Sequence, residues 1–409
     1  MVELIKYIIK RSVSALMHVF WIFPINKRKV FMMNDHSYNF SDNLKYLTLY
    51  LLNHDAENYE VYFSLKNPIG LECLSVKPVR WFSFSHFFHA LTSSVVITNN
   101  GGTAFMPFRK KQMVINTWHG GGPYKMTGIR ALTNCFDKAI DQDNADTVKQ
   151  DKSIYWYEKA LAYNAKKVNY ILISCKMCLE ETRGMFYSDD QALDIGNPRV
   201  DCLIDKSRSC ATKDKVFKTY GLDPEYKLII YAPTFRGSFE SYDGIVDNQE
   251  LNIDIKQILN SVSNKFGGKW LFAVRLHPRL KDVKLSGEGL INMTSYPDAQ
   301  EILIASDMLI TDYSSIMWDY SYTGKPCLLF APDINDYSVR RGFYLPPEEW
   351  PFPIAVTNKD LIDIINGFDL IDYLERVNSH HNSVGSYESG HACESVKDII
   401  DKHISSLKR

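Results

Sequence analysis

Two histidines stand where a chain would place a group meant to meet a substrate. His119 follows the apolar run "QMVINTW" (112–118) and precedes Gly120, Gly121 and Gly122, with Lys125 just beyond. His277 closes "KWLFAVRLHP" (269–278) beside Pro278. Of eleven histidines, these two combine the end of an apolar run with Gly or Pro next door. An imidazole titrates near neutrality and serves as a general base, and glycines let another molecule approach the backbone. A lone histidine can equally be a satisfied structural residue. A third tip, "DMLITDYSS" (307–315), delivers Thr311, Asp312, Ser314 and Ser315 to the start of a helical pattern. Free N–H groups at a helix start, joined by serine hydroxyls, suit a phosphate, and Asp319 one turn on is in reach of a ribose hydroxyl or an acceptor. Ser314 also suits a simple helix cap. Arg199 in "GNPRVD" (196–201), Arg236 in "YAPTFRG" (231–237), and Arg275 and Arg279 in "VRLHPR" (274–279) supply separate positive charges. A diphosphate needs charge neutralisation from several sides. Taken singly, each arginine reads as a surface ion pair. Neither a GxxxxGK[ST] loop nor a GxGxxG fingerprint with its acidic partner is present.

These tips need elements to hold them. Short apolar runs recur at 29–34, 59–65, 93–100, 112–118 and 168–174, then at 226–235, 269–278, 289–296, 307–315 and 325–332. Their β-branched content and lack of alternation predict strands buried on both faces, and the helix-compatible stretches between them predict parallel sheets. The class is α/β with two halves. The polar, lysine-rich stretch 203–225 is expected to be the hinge. Two facing parallel sheets would converge their carboxyl-end tips on one cleft.

A chain of 409 residues exceeds what one core usually organises, which again predicts two domains. With 45% hydrophobic and 23% charged residues the composition is that of a soluble, well-packed protein, and a net charge of −1 argues against a nucleic-acid binder. Eight scattered cysteines do not make a disulfide scaffold. Cys175-Lys-Met-Cys178 has redox or zinc spacing but no second pair, so buried thiols in a reducing cytoplasm are expected, with no metal site. In residues 1–30, Lys6, Lys10, Arg11, Lys27, Arg28 and Lys29 face Glu3 alone. The uncharged stretch 12–26 is too short to span a bilayer. Residues 1–28 suit an amphipathic helix lying on an anionic membrane surface, or one packed on its own domain.

The motifs "TWHGGGPYK", "GNPRVD", "YAPTFR", "RLHP", "LITDYSSIMWDY" and "ESGHACESV", in that order from about Val30 to Val396, resemble the CDP-glycerol glycerophosphotransferases. These are teichoic-acid primases and polymerases, with relatives in capsule assembly. The resemblance implies two Rossmann-like domains of glycosyltransferase B type, expected at 29–205 (acceptor) and 206–409 (nucleotide donor), with the C-terminal helix free to cross back. It implies peripheral attachment to the cytoplasmic face of the membrane, no metal or cofactor, a CDP-linked polyol as donor and a lipid-linked or polymer acceptor, with CMP released. It implies His119 as catalytic base and His277 beside the pyrophosphate. Arg199, Arg236, Arg275, Thr311, Asp312, Ser314, Ser315 and Asp319 go to the donor, and Gly120, Gly121 and Lys125 to the acceptor side. Many members read Trp-His-Gly-Thr-Pro-Leu-Lys, whereas here the lysine sits one residue further along. The short stretch before Val30 favours a primase or compact capsule enzyme over a long-chain polymerase. Glycerol phosphate is the expected unit. A nucleotide-sugar glycosyltransferase of the same architecture, or a non-catalytic scaffold subunit, are the rival readings.

Overall fold

The computed structural model describes residues 2–34, 39–66, 71, 75–140, 147–234, 245–247, 252–276, 284–286 and 290–407. Arg236, His277 and Arg279, singled out above, lie outside them. The chain divides into two units. The first comprises Met1–Asp201, Val339–Tyr344 and Gly385–Arg409, and the second Cys202–Ser338 and Leu345–Val384.

The first unit is built on seven strands, β1 (Asn26–Met33), β2 (Glu60–Leu65), β3 (Lys77–Arg80), β4 (Ser93–Thr98), β5 (Met113–Asn116), β6 (Tyr170–Leu172) and β7 (Ala192–Leu193). They lie in the order β3-β2-β1-β4-β5-β6-β7, every pairing parallel. Alternate residues of β1 feed two cores, as the strand's period of two requires. Val30 and Met32 pack with Leu44, Leu47 and Leu51 of the helix Asp42–Asp55 and with Val396, Ile400 and Ile404 of the helix Ala392–Ser406. Phe31 and Met33 point the other way, onto Phe87 and Leu91 of the helix Phe84–Thr92 and onto Ala165 and Val168. Burial on both faces explains why these strands read as unbroken apolar runs. Chain order reverses between β1 and β4, so the crevice of this sheet opens at the carboxyl ends of those two strands.

The second unit carries β8 (Lys227–Ala232), β9 (Ile245–Asp247), β10 (Trp270–Val274), β11 (Lys284–Ser286), β12 (Leu290–Asn292), β13 (Met308–Thr311), β14 (Cys327–Phe330) and β15 (Ile354–Ala355). Six of them form a parallel sheet in the order β12-β10-β8-β13-β14-β15, while β9 and β11 pair separately. Its switch point lies between β8 and β13.

Ten strands coincide with the apolar runs. The remaining five, β3, β7, β9, β11 and β15, span two to four residues each and are too short to stand out from their surroundings. The expected hinge is corrected in part: Ser209–Tyr220 is a helix, burying Val216 and Phe217 and stopped by Gly221 at φ 63°. Those two apolar residues hold the helix to the unit, joined by the ion pairs of Lys213 with Asp307 and Lys215 with Glu301 at 3.0 and 2.7 Å. The N-terminal helix Val2–Leu16 packs on its own unit, with the Tyr7 ring 5.6 Å from Trp156 and the Arg11 guanidinium 4.8 Å above Tyr163. Its other side leaves Ile5, Ile8 and Ile9 about half exposed.

Ile400 is fully buried among side chains from the other end of the unit's sequence. Ile400→Ala should lower unfolding free energy by about 2–5 kcal/mol, measured by urea denaturation.

Candidate active site

At the carboxyl end of β5 the backbone turns sharply. Trp118 takes a left-handed φ of 53°, stabilised by its N–H bonding Asn116 Oδ1 at 2.9 Å. The kink brings the Trp118 ring within 4.2 Å of the His119 ring and directs Nε1 to Glu181 Oε1 at 3.1 Å. A side chain on Gly120 would collide with that indole, its Cβ falling 2.9 Å from Nε1, so this glycine answers first to packing. Gly121 is buried, and Gly122, at φ 71°, donates its N–H to Ser174 Oγ at 3.0 Å. Lys125 pairs in a short antiparallel bridge with Phe343.

The half-buried His119 donates Nδ1–H to the Asn99 carbonyl, 3.0 Å away at the end of β4. A carbonyl only accepts, so Nδ1 carries the proton and Nε2 the lone pair of the neutral ring. That tautomer is the one a general base needs. Asn99 is itself fixed, its Nδ2 donating to Asn34 Oδ1 at 3.0 Å and to Asp42 Oδ2 at 2.9 Å. Asp42 in turn accepts from Arg199 Nη1 at 2.9 Å, and Arg199 Nη2 reaches the Gly120 carbonyl at 3.2 Å. Burial pushes the Asp42 carboxyl up, but Arg199, the Asn43 N–H, Asn99 and His119 outweigh it, and the group stays below the ordinary carboxylate range. Asn43 fastens the same loop, donating Nδ2 to the Thr117 and Trp118 carbonyls at 3.1 Å each and to Asn197 Oδ1 at 3.2 Å.

Two of the sequence motifs lock each other here. Glu388 accepts from the N–H and Nδ2 of Asn197, both at 2.8 Å. Asp201 accepts from the N–H groups of Ala392 and Cys393 at 3.0 and 2.8 Å. "GNPRVD" and "ESGHACESV" are thus one structural device. Arg199, expected on the donor phosphates, belongs to the first unit and neutralises Asp42. The residues that sequence reasoning missed are Asp42, Asn43, Asn99, Glu181 and Glu388 in its holding role. "TNNGG" (98–102), polar residues and glycines directly after an apolar run, was the signal available for Asn99. Cys175 and Cys178 are buried thiols with sulfurs 3.3 Å apart.

In the second unit the tips of β8 and β13 meet at their switch point. Asp312 is fully buried and accepts from Thr234 N–H at 2.8 Å and Thr234 Oγ1 at 2.6 Å. Thr311 Oγ1 is spent on the Ala232 carbonyl at 2.7 Å. Both residues therefore shape the turn. Ser314 and Ser315 stay partly exposed at the head of the short helix Ile316–Ser321. Asp319 is buried and accepts from Gln300 Nε2 at 3.0 Å. Arg275 is buried, with Nη1 on the Met293 and Tyr296 carbonyls at 3.0 and 2.9 Å, so it braces the end of β10.

The model of the CDP-glycerol:poly(glycerophosphate) glycerophosphotransferase family matches residues 15–402. The chain belongs to that family. It is accordingly an enzyme of the transferase class. It is 25% identical over 410 residues to the teichoic acid poly(glycerol phosphate) polymerase of Bacillus spizizenii, covering 98% of each chain. It is 27% identical over 375 residues to the polymerase of that name from Staphylococcus epidermidis, there covering 90% of this chain and 49% of the relative. The chain thus spans about half the length of the latter and nearly all of the former. Among solved structures, a variant of the wall teichoic acid polymerase TagF soaked with CDPG superposes with a TM-score of 0.78 at 24% identity, covering 99% of this chain and 97% of that one. This likeness is one of fold, and it shares the two parallel-sheet α/β architecture expected from the sequence.

Burial pushes the Glu181 carboxyl up to about 7 against the lowering effect of the hydrogen bonds from Trp118 and Thr127. The folded state then holds a proton that the unfolded chain releases near the ordinary glutamate value. Stability therefore falls as pH rises through that interval, by about 3.5 kcal/mol at ~1.4 kcal/mol per pH unit. Glu181→Gln keeps the Oε1 acceptor and should flatten the profile, as read by urea unfolding at about pH 5 and about pH 8.

Proposed function

We propose that the protein transfers a phosphopolyol unit, glycerol phosphate in the first instance, from a CDP-linked donor to a hydroxyl of a lipid-linked or polymer acceptor in teichoic acid or capsule synthesis. The observation that carries this reading is His119 with Nδ1–H held on the Asn99 carbonyl beside the Asp42–Arg199 pair. His119 Nε2 takes the proton of the acceptor hydroxyl. The hydroxyl oxygen bonds to the donor's β-phosphorus, the bond from that phosphorus to the bridging oxygen breaks, and CMP leaves. The donor's diphosphate falls to the partly exposed Ser314 and Ser315 and to His277 and Arg236 of the same unit. The CDP-linked donor brings its own leaving group, so the reading assigns no resident cofactor. A positioned base typically contributes about 10²–10⁴ in rate. His119→Ala should lose that much CMP release from CDP-glycerol while keeping its melting temperature. A loss under about tenfold would sink the assignment of the base. Parallel incubations with CDP-ribitol and UDP-sugars separate the readings, since UDP release would mark a glycosyltransferase.

The same reading places the protein on a membrane surface. No helix among the described residues is long and apolar enough to cross a membrane. The N-terminal helix and the turn after it nonetheless expose Leu16, Val19 and Ile22 at 70%, 60% and 76%. An amphipathic segment of this kind supports in-plane attachment. Leu16→Asp/Val19→Asp/Ile22→Asp should shift the protein from the membrane pellet to the supernatant with its fold intact, and unchanged partitioning would refute the attachment.

A further inference from the structure

At the amino ends of β5 and β6, the opposite end of the first sheet from His119, a cavity of about 510 Å³ opens beside the N-terminal helix. Arg11, His18, Arg109, Lys110, Lys166 and Lys167 line it, and among the described residues no aspartate or glutamate does. The positive charge is held by neutral atoms. Arg109 donates Nη1 to the Trp21 and Phe23 carbonyls at 3.3 and 2.8 Å and Nη2 to the Leu91 carbonyl at 2.6 Å. Its buried Nε has no hydrogen-bond partner. Lys167 Nζ donates to Ser14 Oγ at 3.2 Å and to the Ala104 and Met106 carbonyls at 2.8 Å each. Carbonyls orient a cation without cancelling its charge, and partly buried cations crowded together are costly unless an anion joins them. The cost registers at Lys167, whose ammonium burial and the nearby Arg11 pull down to about 7. A second cavity of about 550 Å³ shares Arg109 and Lys110 and adds Lys27 and Lys111, so the basic lining continues along the amino ends of the strands.

Apolar side chains of the N-terminal helix and turn adjoin the first cavity. Ala15 and Trp21 line it, Trp21 with its Nε1 pinned to the Pro107 carbonyl at 2.7 Å, and the exposed Leu16, Val19 and Ile22 belong to the same helix and turn. Caged cations beside exposed hydrocarbon match a molecule with a phosphate at one end and an acyl chain at the other. We propose that this cavity is a binding site for the phosphate headgroup of an anionic phospholipid, with the neighbouring apolar side chains entering the acyl boundary of the same leaflet. Within the first unit, the site lies at the opposite end of the sheet from His119. The inference rests on the membrane attachment argued above and adds to it a lipid preference and an orientation: the amino ends of the first sheet face the lipid, and the His119 end faces away.

Co-flotation of the full-length protein with phosphatidylcholine vesicles, with and without phosphatidylglycerol, tests it. Arg11, Lys110 and Lys166 are exposed at the side chain and can be replaced without opening a core. Arg11→Ala/Lys110→Ala/Lys166→Ala should lose on the order of a hundredfold in affinity for the anionic vesicles, since each basic residue at such a surface contributes roughly fivefold. Lys256→Ala/Lys265→Ala/Lys359→Ala, the same charge change on exposed lysines of the second unit, should lose much less. Equal losses in the two triple variants, or none in the first, would overturn the site. Wild-type protein that floats equally with neutral and anionic vesicles would leave the attachment standing and remove the headgroup site, whereas no flotation with either would remove both. If inorganic phosphate binds in solution with the same dependence on Arg11, Lys110 and Lys166 while vesicles show no anionic preference, the ligand is soluble phosphate and the lipid assignment fails.

Discussion

The Asp42–Arg199 ion pair is the constraint on which the first unit's site depends. A largely buried carboxylate and a buried guanidinium stand together because each makes the other tolerable, and removing either would leave an uncompensated charge costing about 3–5 kcal/mol. The pair does more than cancel. Asp42 holds Asn99, whose carbonyl fixes the tautomer of His119, and Arg199 holds the Gly120 carbonyl on the other side of that histidine. The base is thus located from both flanks by one electrostatic contact. The helix that Asp42 opens begins at a left-handed φ of 63°, a strained backbone that persists because Asn99 and Arg199 hold the side chain in place.

The second unit solves a related problem by different means. Where its chain order reverses, the tip of β13 is tied to the tip of β8 by Asp312 gripping the backbone and hydroxyl of Thr234. A buried carboxylate that accepts several hydrogen bonds is a rigid staple. It leaves Ser314 and Ser315 partly exposed just beyond it, at the start of a helix whose Met317, Trp318, Asp319 and Tyr320 are all buried. One short segment divides its labour, with Asp319 and the large apolar and aromatic side chains inside and the hydroxyls of Ser314 and Ser315 at the surface.

The two-sheet architecture was legible because buried parallel strands write themselves as apolar runs, and their ends could be read directly. His119, Ser314 and Ser315 stood out for that reason. Arg199 and Asp319 each hold a protein partner, Asp42 and Gln300, that no local pattern announces, because an arginine or aspartate next to a turn looks the same whether it meets a ligand or a buried partner. Asp42, Asn43 and Glu388 gave no local signal. Their meaning lies in partners up to 191 positions away, Glu388 with Asn197 being the longest of these contacts, and only folding reveals such pairings. The motif "ESGHACESV" was recognisable as a pattern before its purpose was visible: Glu388 and the N–H groups of Ala392 and Cys393 close the loop that carries Arg199.

The helix Ala392–Ser406 completes the core begun by the helix Asp42–Asp55, and Tyr59 of the same region hydrogen-bonds Asp401 342 positions later. The whole second unit is encoded between these partners. On the ribosome, one face of the early sheet must therefore wait only partly covered, by the helix Asp42–Asp55, until the residues of the second unit have emerged. The loop that carries Arg199 is likewise tied to Glu388, Ala392 and Cys393, so the last ties on the surroundings of His119 come from the end of the chain.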